Sequence, residues 1–389
     1  MLYRPESHEP LVETPWREQA ARAGIRAIVA DAESEYDPEM LWPADEWDAW
    51  QANLPLTGLY VGAAGVVWAL HALRKHAEVR LDLATAARRA LEAWRAEPDF
   101  GDSEVLPLPP ERDASLWSGE TGALLVSCLL DRDPELEDAL LARVRENARN
   151  ETNELMWGTP GTMLAARVLH ERTGDARWEE AWEESAEELR RRRNEDGLWT
   201  QRLYGQEYRG LGPAHGAAGN AFALGEPAPT ATAVARAAVV EDGLANWPAA
   251  AGDDLVSADG EIRVQWCHGA PGIVATLADA LDKGILLAGA ELTWQAGPPR
   301  KGPMLCHGTA GNGFALLKTF RRTGDEQWLE RARRFAVHAL DQVRRARKER
   351  GRGRYSLWTG DLGVAVYAAD VIDVRAAYPI VDSVVADAS

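Results

Sequence analysis

The sequence predicts an all-α protein, an (α/α)7 toroid of seven helix-pair repeats, and three observations predict it. Gly-x-x-Gly occurs seven times, at 62/65, 119/122, 158/161, 216/219, 269/272, 308/311 and 360/363. The segments after these pairs carry a helical hydrophobic period, while sustained strand alternation is absent. Finally, the flanks recur: Thr173-Gly174-Asp175 with Trp178 returns 150 residues later as Thr323-Gly324-Asp325 with Trp328, and the same shift carries glycine 119 onto 269 and 158 onto 308. With 34 glycines in 389 positions, chance placement gives roughly three such pairs and no regular spacing.

Each interval between glycine pairs, 57, 39, 58, 53, 39 and 52 residues, has room for two helices. Within 176–193, Trp178, Ala181, Trp182, Ala186 and Leu189 share one face; within 326–348, Trp328, Ala332, Phe335, Ala336, Ala339, Leu340 and Val343 do the same. The longest uncharged run, 53–73, contains Pro55, three glycines and His71, so it reads as a buried helix with its leading loop rather than a membrane span. A short strand is expected at Ile262, Val264 and Trp266. Helix pairs stack into open solenoids or close into rings; here every glycine pair opens an apolar helix, which favours closure. Residues 1–50 read as an N-terminal segment packing on a single toroidal domain, 51–389.

Hydrophobic residues make up 46% and charged residues 27%, the composition of a folded chain. Lys and Arg number 43 against 61 Asp and Glu, a net charge of −18. Such a chain is repelled by phosphate backbones and anionic lipid, which argues against nucleic-acid and membrane partners. The start, MLYRPESHEP, has neither the basic nor the apolar part of a secretory signal. Three cysteines, an odd number, make no disulfide framework and fit a reducing cytoplasm. The basic runs Arg190–Arg193 and Arg344–Arg354 read as solvated helix faces, with the Gly351–Arg354 end placed to reach an anionic substrate.

Repeat symmetry puts equivalent positions at one rim of the ring. Two before each first glycine stand Tyr60, Trp117, Met156, Ala214, Cys267, Cys306 and Trp358; one before stand Val61, Ser118, Trp157, His215, His268, His307 and Thr359. Two cysteines and three histidines therefore converge. Two thiolates with an imidazole make a Cys2His zinc site with one open position, the arrangement of a catalytic metal. His268 as a further ligand would close it; a supporting or packing role suits it better. Cys128, within an apolar run, reads as core. His215 is the candidate acid or base, since imidazole titrates near neutrality. The rim tryptophans Trp117, Trp157 and Trp358 are placed to line an apolar pocket. No glycine motif matches a nucleotide-binding loop.

The motifs WCHGAPG at 266–272, LCHGTAGN at 305–312, AHGAAG at 214–219 and YSLWTGDLG at 355–363 resemble the lanthionine synthetase C-like (LanC-like) family. NELMWG at 153–158, GQEYRGLGPAHG at 205–216 and Lys301 resemble its stand-alone eukaryotic-type branch. The resemblance implies an α/α toroid with a central zinc held by Cys267, Cys306 and His307, and His215 as the proton-transfer residue. It also implies Lys301, and more weakly Arg4, as binders of glutathione. Peptide-cyclising members carry an aspartate four before the second repeat's glycine; here Ser115 stands there, with Asp113 two residues earlier. That departure favours intermolecular thiol addition over cyclisation.

The expected chemistry is zinc-dependent addition of a thiol, from glutathione or a peptide cysteine, to a dehydroalanine or dehydrobutyrine residue, forming a thioether. The alternatives are a non-catalytic adaptor that binds zinc with glutathione or a peptide, and a lanthipeptide cyclase. A glycosidase needs two facing carboxylates, for which the glycine motifs offer chiefly Glu120 and Asp361.

Overall fold

The computed structural model describes residues 1–101 and 107–382; residues 102–106 and 383–389 of the expected domain lie outside them. Helix α1 (Glu18–Ser34) comes first. Six helix pairs follow: α2 (Ala63–Ala72) with α3 (Leu83–Ala96), α4 (Glu120–Leu130) with α5 (Pro134–Asn147), and α6 (Thr159–Thr173) with α7 (Ala176–Arg191). The remaining pairs are α8 (Ala217–Leu224) with α9 (Pro227–Arg236), α10 (Ala270–Leu277) with α11 (Lys283–Ala296), and α12 (Thr309–Thr323) with α13 (Glu326–Arg350). Helix α14 (Asp361–Ile372) closes the series.

The even-numbered helices form the inner ring. Each touches the next, and α14 returns to α2, so the ring closes. These helices are apolar nearly all round, as buried helices are; in α2 every residue from Ala63 to Leu70 is buried. The outer helices are amphipathic: α7 buries Trp178, Ala181, Ala186 and Leu189 and turns its glutamates and arginines outward. Among the described residues, no outer helix follows α14 in sequence. Its outer face is covered by α1, which packs on α14 and α13 through Ile25, Ile28, Val29 and Ala32. The N-terminal segment thus supplies the seventh outer helix.

The two helix sets start differently. Five outer helices are capped by aspartates, Asp82, Asp133, Asp175, Asp282 and Asp325, whose carboxylates accept backbone N–H groups of the first turn. Every inner helix instead starts on the first glycine of a pair. The second glycine lets the preceding loop fold onto the helix. A Cβ there would stand 1.8 to 2.4 Å from the carbonyl oxygen six residues earlier, at all seven positions. The recurring Thr-Gly-Asp-x-x-Trp is a stop and a start: Gly174 and Gly324, in the left-handed conformation, end α6 and α12, the aspartates cap α7 and α13, and the tryptophans are buried.

Four short strands make two antiparallel hairpins, β1 (Gln201–Leu203) with β2 (Gln206–Tyr208), and β3 (Val239–Glu241) with β4 (Leu244–Asn246). The strand expected at 262–266 does not form. That stretch runs as a loop into Cys267 because its Val264 carbonyl is taken by Asn312 Nδ2 and its Arg263 carbonyl by Asn246 Nδ2. The ring's centre is filled: Trp358 packs against Trp117, Trp266 and Tyr378 with ring centroids 4.6 to 5.5 Å apart. Among the described residues, no helix is long and apolar enough to cross a membrane.

Candidate functional site

The rim loops are zipped together by their backbones. Cys267 N–H donates to the Cys306 carbonyl (3.1 Å), Cys306 N–H to the Trp358 carbonyl (3.0 Å), Trp358 N–H to the Tyr60 carbonyl (3.3 Å) and Tyr60 N–H to the Trp117 carbonyl (2.9 Å). All five residues occupy the position two before a glycine pair. Successive loops therefore present equivalent side chains side by side, which brings two cysteines 39 residues apart into contact.

Both thiols are buried and hydrogen-bond each other. That bond holds Cys267 well below the usual thiol range, against the opposing effect of burial, and the His268 and His307 imidazoles add to the depression. Cys306 is pushed up correspondingly as the proton-bearing partner, while the Tyr60 hydroxyl and the Lys301 charge act the other way on it. Gln265 Nε2 donates to Cys267 Sγ (2.9 Å), and Lys301 Nζ donates to Gln265 Oε1 (3.2 Å). Lys301 thus reaches the thiol pair through Gln265.

The three histidines are placed differently. His268 hydrogen-bonds Cys267 through one side of its ring, leaving its buried Nδ1 without a partner. His307 feels the Cys267 charge, although burial, the first cause, holds its pKa below the ordinary histidine value; its ring lies edge-on to Trp47 at 5.4 Å. His215 accepts a neighbour the sequence reading did not supply: Glu154, a fully buried carboxylate, 2.7 Å from its Nδ1. Burial works against a charged His215, but the Glu154 hydrogen bond and charge, with the Cys267 charge, outweigh it and raise its pKa.

Glu154 also accepts the backbone N–H groups of Met156 (3.0 Å) and Trp157 (2.6 Å), so its carboxylate is fixed before it meets the imidazole. It stands four before its repeat's first glycine, the register of Ser115. The Ser115 hydroxyl accepts from the Trp117 and Ser118 N–H groups and donates to the Met156 carbonyl. The same register holds Gln265. The signal that marks Glu154 and Gln265 in the sequence is this register, four before the first glycine, extended from the second repeat to the third and fifth.

Several expectations land elsewhere. Arg4 Nε donates to the Gly260 carbonyl (2.6 Å), and among the described contacts none joins it to the cysteines. Arg354 is not on a solvated face: it is buried, with Nε 2.8 Å from Asp48 Oδ2 and its guanidinium over the Trp47 ring. Trp117 and Trp358 belong to the buried aromatic centre, and Trp157 alone of the three rim tryptophans lines a cavity. Glu120 is engaged by Arg95 and Arg143, which removes it as half of a facing carboxylate pair.

Two hollows adjoin the site, Asp48 lining one and its partner Arg354 the other. One, of about 560 Å³, is lined by His215, Tyr60 and aromatic side chains including Trp47 and Trp157. The other, about 190 Å³, carries five cationic side chains, Lys301 and Arg354 among them, against three acidic ones.

Among the described residues, no group of three or more His, Cys, Asp or Glu side chains is gathered at metal-holding spacing. The donor chemistry nevertheless fits zinc. Two buried thiols in contact, one driven toward thiolate, with imidazoles on the residue after each, are the soft-and-borderline set that ion takes, and the orphaned His268 nitrogen marks unmet polar capacity beside them.

Residues 55–381 match the family described as lanthionine synthetase C-like protein. The chain belongs to that family. This LanC-like chain is 33% identical over 128 residues to glutathione S-transferase LANCL1 of Danio rerio, covering 31% of each chain. It is 33% identical over 121 residues to LanC-like protein GCL1 of Arabidopsis thaliana, covering 28% of each. The matched stretches thus span about a third or less of those relatives. Among solved structures, nisin cyclase superposes with a TM-score of 0.59 at 17% identity, covering 91% of this chain and 94% of that one. The two share the helical toroid.

Proposed function

We propose that this LanC-like protein catalyses zinc-dependent addition of a thiol, glutathione or a peptide cysteine, to a dehydroalanine or dehydrobutyrine residue, forming a thioether. The observation that carries the reading is the juxtaposition of the Cys267–Cys306 pair with the Glu154–His215 pair across one rim. Cys267, Cys306 and His307 would hold the ion, with His268 supporting Cys267. Zinc, when bound, supplies the positive charge that favours the thiolate form of an incoming thiol.

The chain's own groups do the rest. Thiolate sulfur bonds to the β-carbon, the double bond's electrons move to the α-carbon, and a proton must arrive there. His215 is suited to deliver it: Glu154 fixes Nδ1 and favours the protonated ring, leaving the other nitrogen for the substrate. Lys301 and the cationic crevice favour a carboxylate-bearing thiol such as glutathione, a reading supported by the name of the zebrafish relative. Ser115 in place of a cyclase-type aspartate favours an intermolecular partner over ring closure within one peptide.

The test is to incubate zinc-loaded protein with glutathione and a dehydroalanine peptide and to look for the adduct by mass spectrometry. Cys306→Ala is expected to lose both zinc, by metal analysis, and adduct formation. Full zinc occupancy in that variant would remove Cys306 from the ligand set. Glutathione and zinc binding with no adduct would establish the adaptor instead.

A further inference from the structure

The thiol-addition reading leaves open what surrounds the electrophilic residue, and the larger hollow speaks to it. From the aromatic hollow that opens at His215, we propose that the electrophile is an uncharged peptide segment carrying an aromatic or large aliphatic residue beside its dehydroamino acid. This rests on the proposed function and narrows its substrate class.

The hollow is continuous with the chemistry, since His215 lines it and so does Tyr60, whose hydroxyl bonds Cys306. At about 560 Å³ it falls in the range that buries most of a ligand of several side chains. Its walls come from two directions. Trp47 and Trp50 reach in from the N-terminal segment, and Tyr60, Phe100, Trp157 and Tyr204 from the ring. Trp47 and Trp50 are 60% and 58% exposed, large flat surfaces left in water at the mouth of a cavity, where a ligand would cover them.

Charge separates this hollow from the crevice. Among the described residues, the one Asp, Glu, Lys or Arg that lines it is Asp48, already paired with Arg354. Among the described residues an acidic ligand finds no Lys or Arg here, whereas the Lys301 crevice holds five cationic side chains against three acidic ones, Arg354 being the one paired with Asp48. The two substrates therefore enter by different hollows: the anionic thiol by the crevice, the apolar electrophile by the aromatic hollow. Tyr204 is held in its wall position by the Trp157 indole, which donates to its hydroxyl (2.9 Å).

The test uses full-length zinc-loaded protein and two inert pentapeptides with alanine in place of the dehydro residue, flanked by Phe or by Asp, titrated calorimetrically. Their dehydroalanine counterparts are assayed with glutathione in parallel. The Phe-flanked peptide is expected to bind about tenfold or more tightly than the Asp-flanked one. Trp50→Ala, an exposed site where folding is not at stake, should collapse that ratio, and Trp50→Phe should restore most of it. Equal affinities, or an unchanged ratio in Trp50→Ala, overturn the proposal. Adducts formed equally with both dehydro peptides leave thiol addition standing and refute the selectivity; selective binding of the inert peptides with no adduct does the reverse.

Discussion

In three repeats, at Ser115, Glu154 and Gln265, the position four before the glycine pair decides what the neighbouring loop can do. Serine there knits loops together, glutamine touches a thiol, and glutamate orients an imidazole. The cysteines and His215 were legible in the sequence because the repeat register alone brings them to one rim. Glu154 shares the register of Ser115, so its place on the rim was legible too; its pairing with His215 was not, because that depends on how far each loop leans. The pair makes a pH-dependent prediction. If His215 delivers a proton, activity is present below its raised pKa and falls as pH rises through it. Glu154→Gln keeps the size and one acceptor but removes the charge, so the alkaline fall should begin at lower pH. Above the new limb the protonated fraction drops about tenfold for each unit the pKa is lowered. A kcat profile that moves in this direction supports proton delivery; an unmoved profile in a folded variant assigns Glu154 to loop structure alone. His215→Asn is expected to lower kcat about 10²- to 10⁴-fold while zinc content, read separately, is retained.

At the scale of helices and loops, the sequence announced the inner helices through their glycines and apolar runs, and the outer ones through amphipathic period. The hairpins were missed, although Asp242-Gly243 is a recognisable turn pair; both residues have positive φ, 51° and 77°, as the tight primed turn requires. Three-residue strands are too short to show alternation. The expected strand at 262–266 failed for the opposite reason: alternation was present, but no neighbouring backbone pairs with it. The glycines divide into two kinds whose replacement should differ. In Gly272→Ala or Gly311→Ala the new Cβ would meet a backbone carbonyl at 1.8 Å, a clash relieved only by lifting the cysteine loop off its helix, and a cost of about 3 kcal/mol or more is expected. Gly24, inside α1, would meet only the flexible end of Leu340, at 3.0 Å. Alanine there gains helix propensity against slight crowding, for a change within about 1 kcal/mol. Urea midpoints of the three variants check the contrast; near-wild-type stability in both rim variants would mean the loops do not need the close approach.

For the whole molecule, the seven glycine pairs gave the repeats, and the apolar helix that each pair opens was what favoured a closed ring over an open solenoid. What they did not reveal was where the seventh outer helix comes from. The cover of α14 comes from α1, outside the repeat series, and α1 carries no glycine pair to advertise that it belongs. Its role follows from its buried face. Ile25, Ile28 and Val29 are at most 4% exposed, and burying three such side chains is worth about 5 to 9 kcal/mol in all, comparable to the entire net stability of a typical domain. Further along the same segment, Asp48 neutralises buried Arg354, and Trp47 sits against His307. Removing residues 1–34 should therefore do more than trim an appendage. It uncovers the outer face of α14, the helix that closes the ring onto α2, and the rim loop before α14 carries Trp358, to whose carbonyl the Cys306 backbone is bonded. The expected result is loss of a sharp thermal transition, binding of a hydrophobic dye, and loss of zinc along with the folded rim. A truncated chain that melts cooperatively near the full-length midpoint and keeps its metal would show that six outer helices suffice.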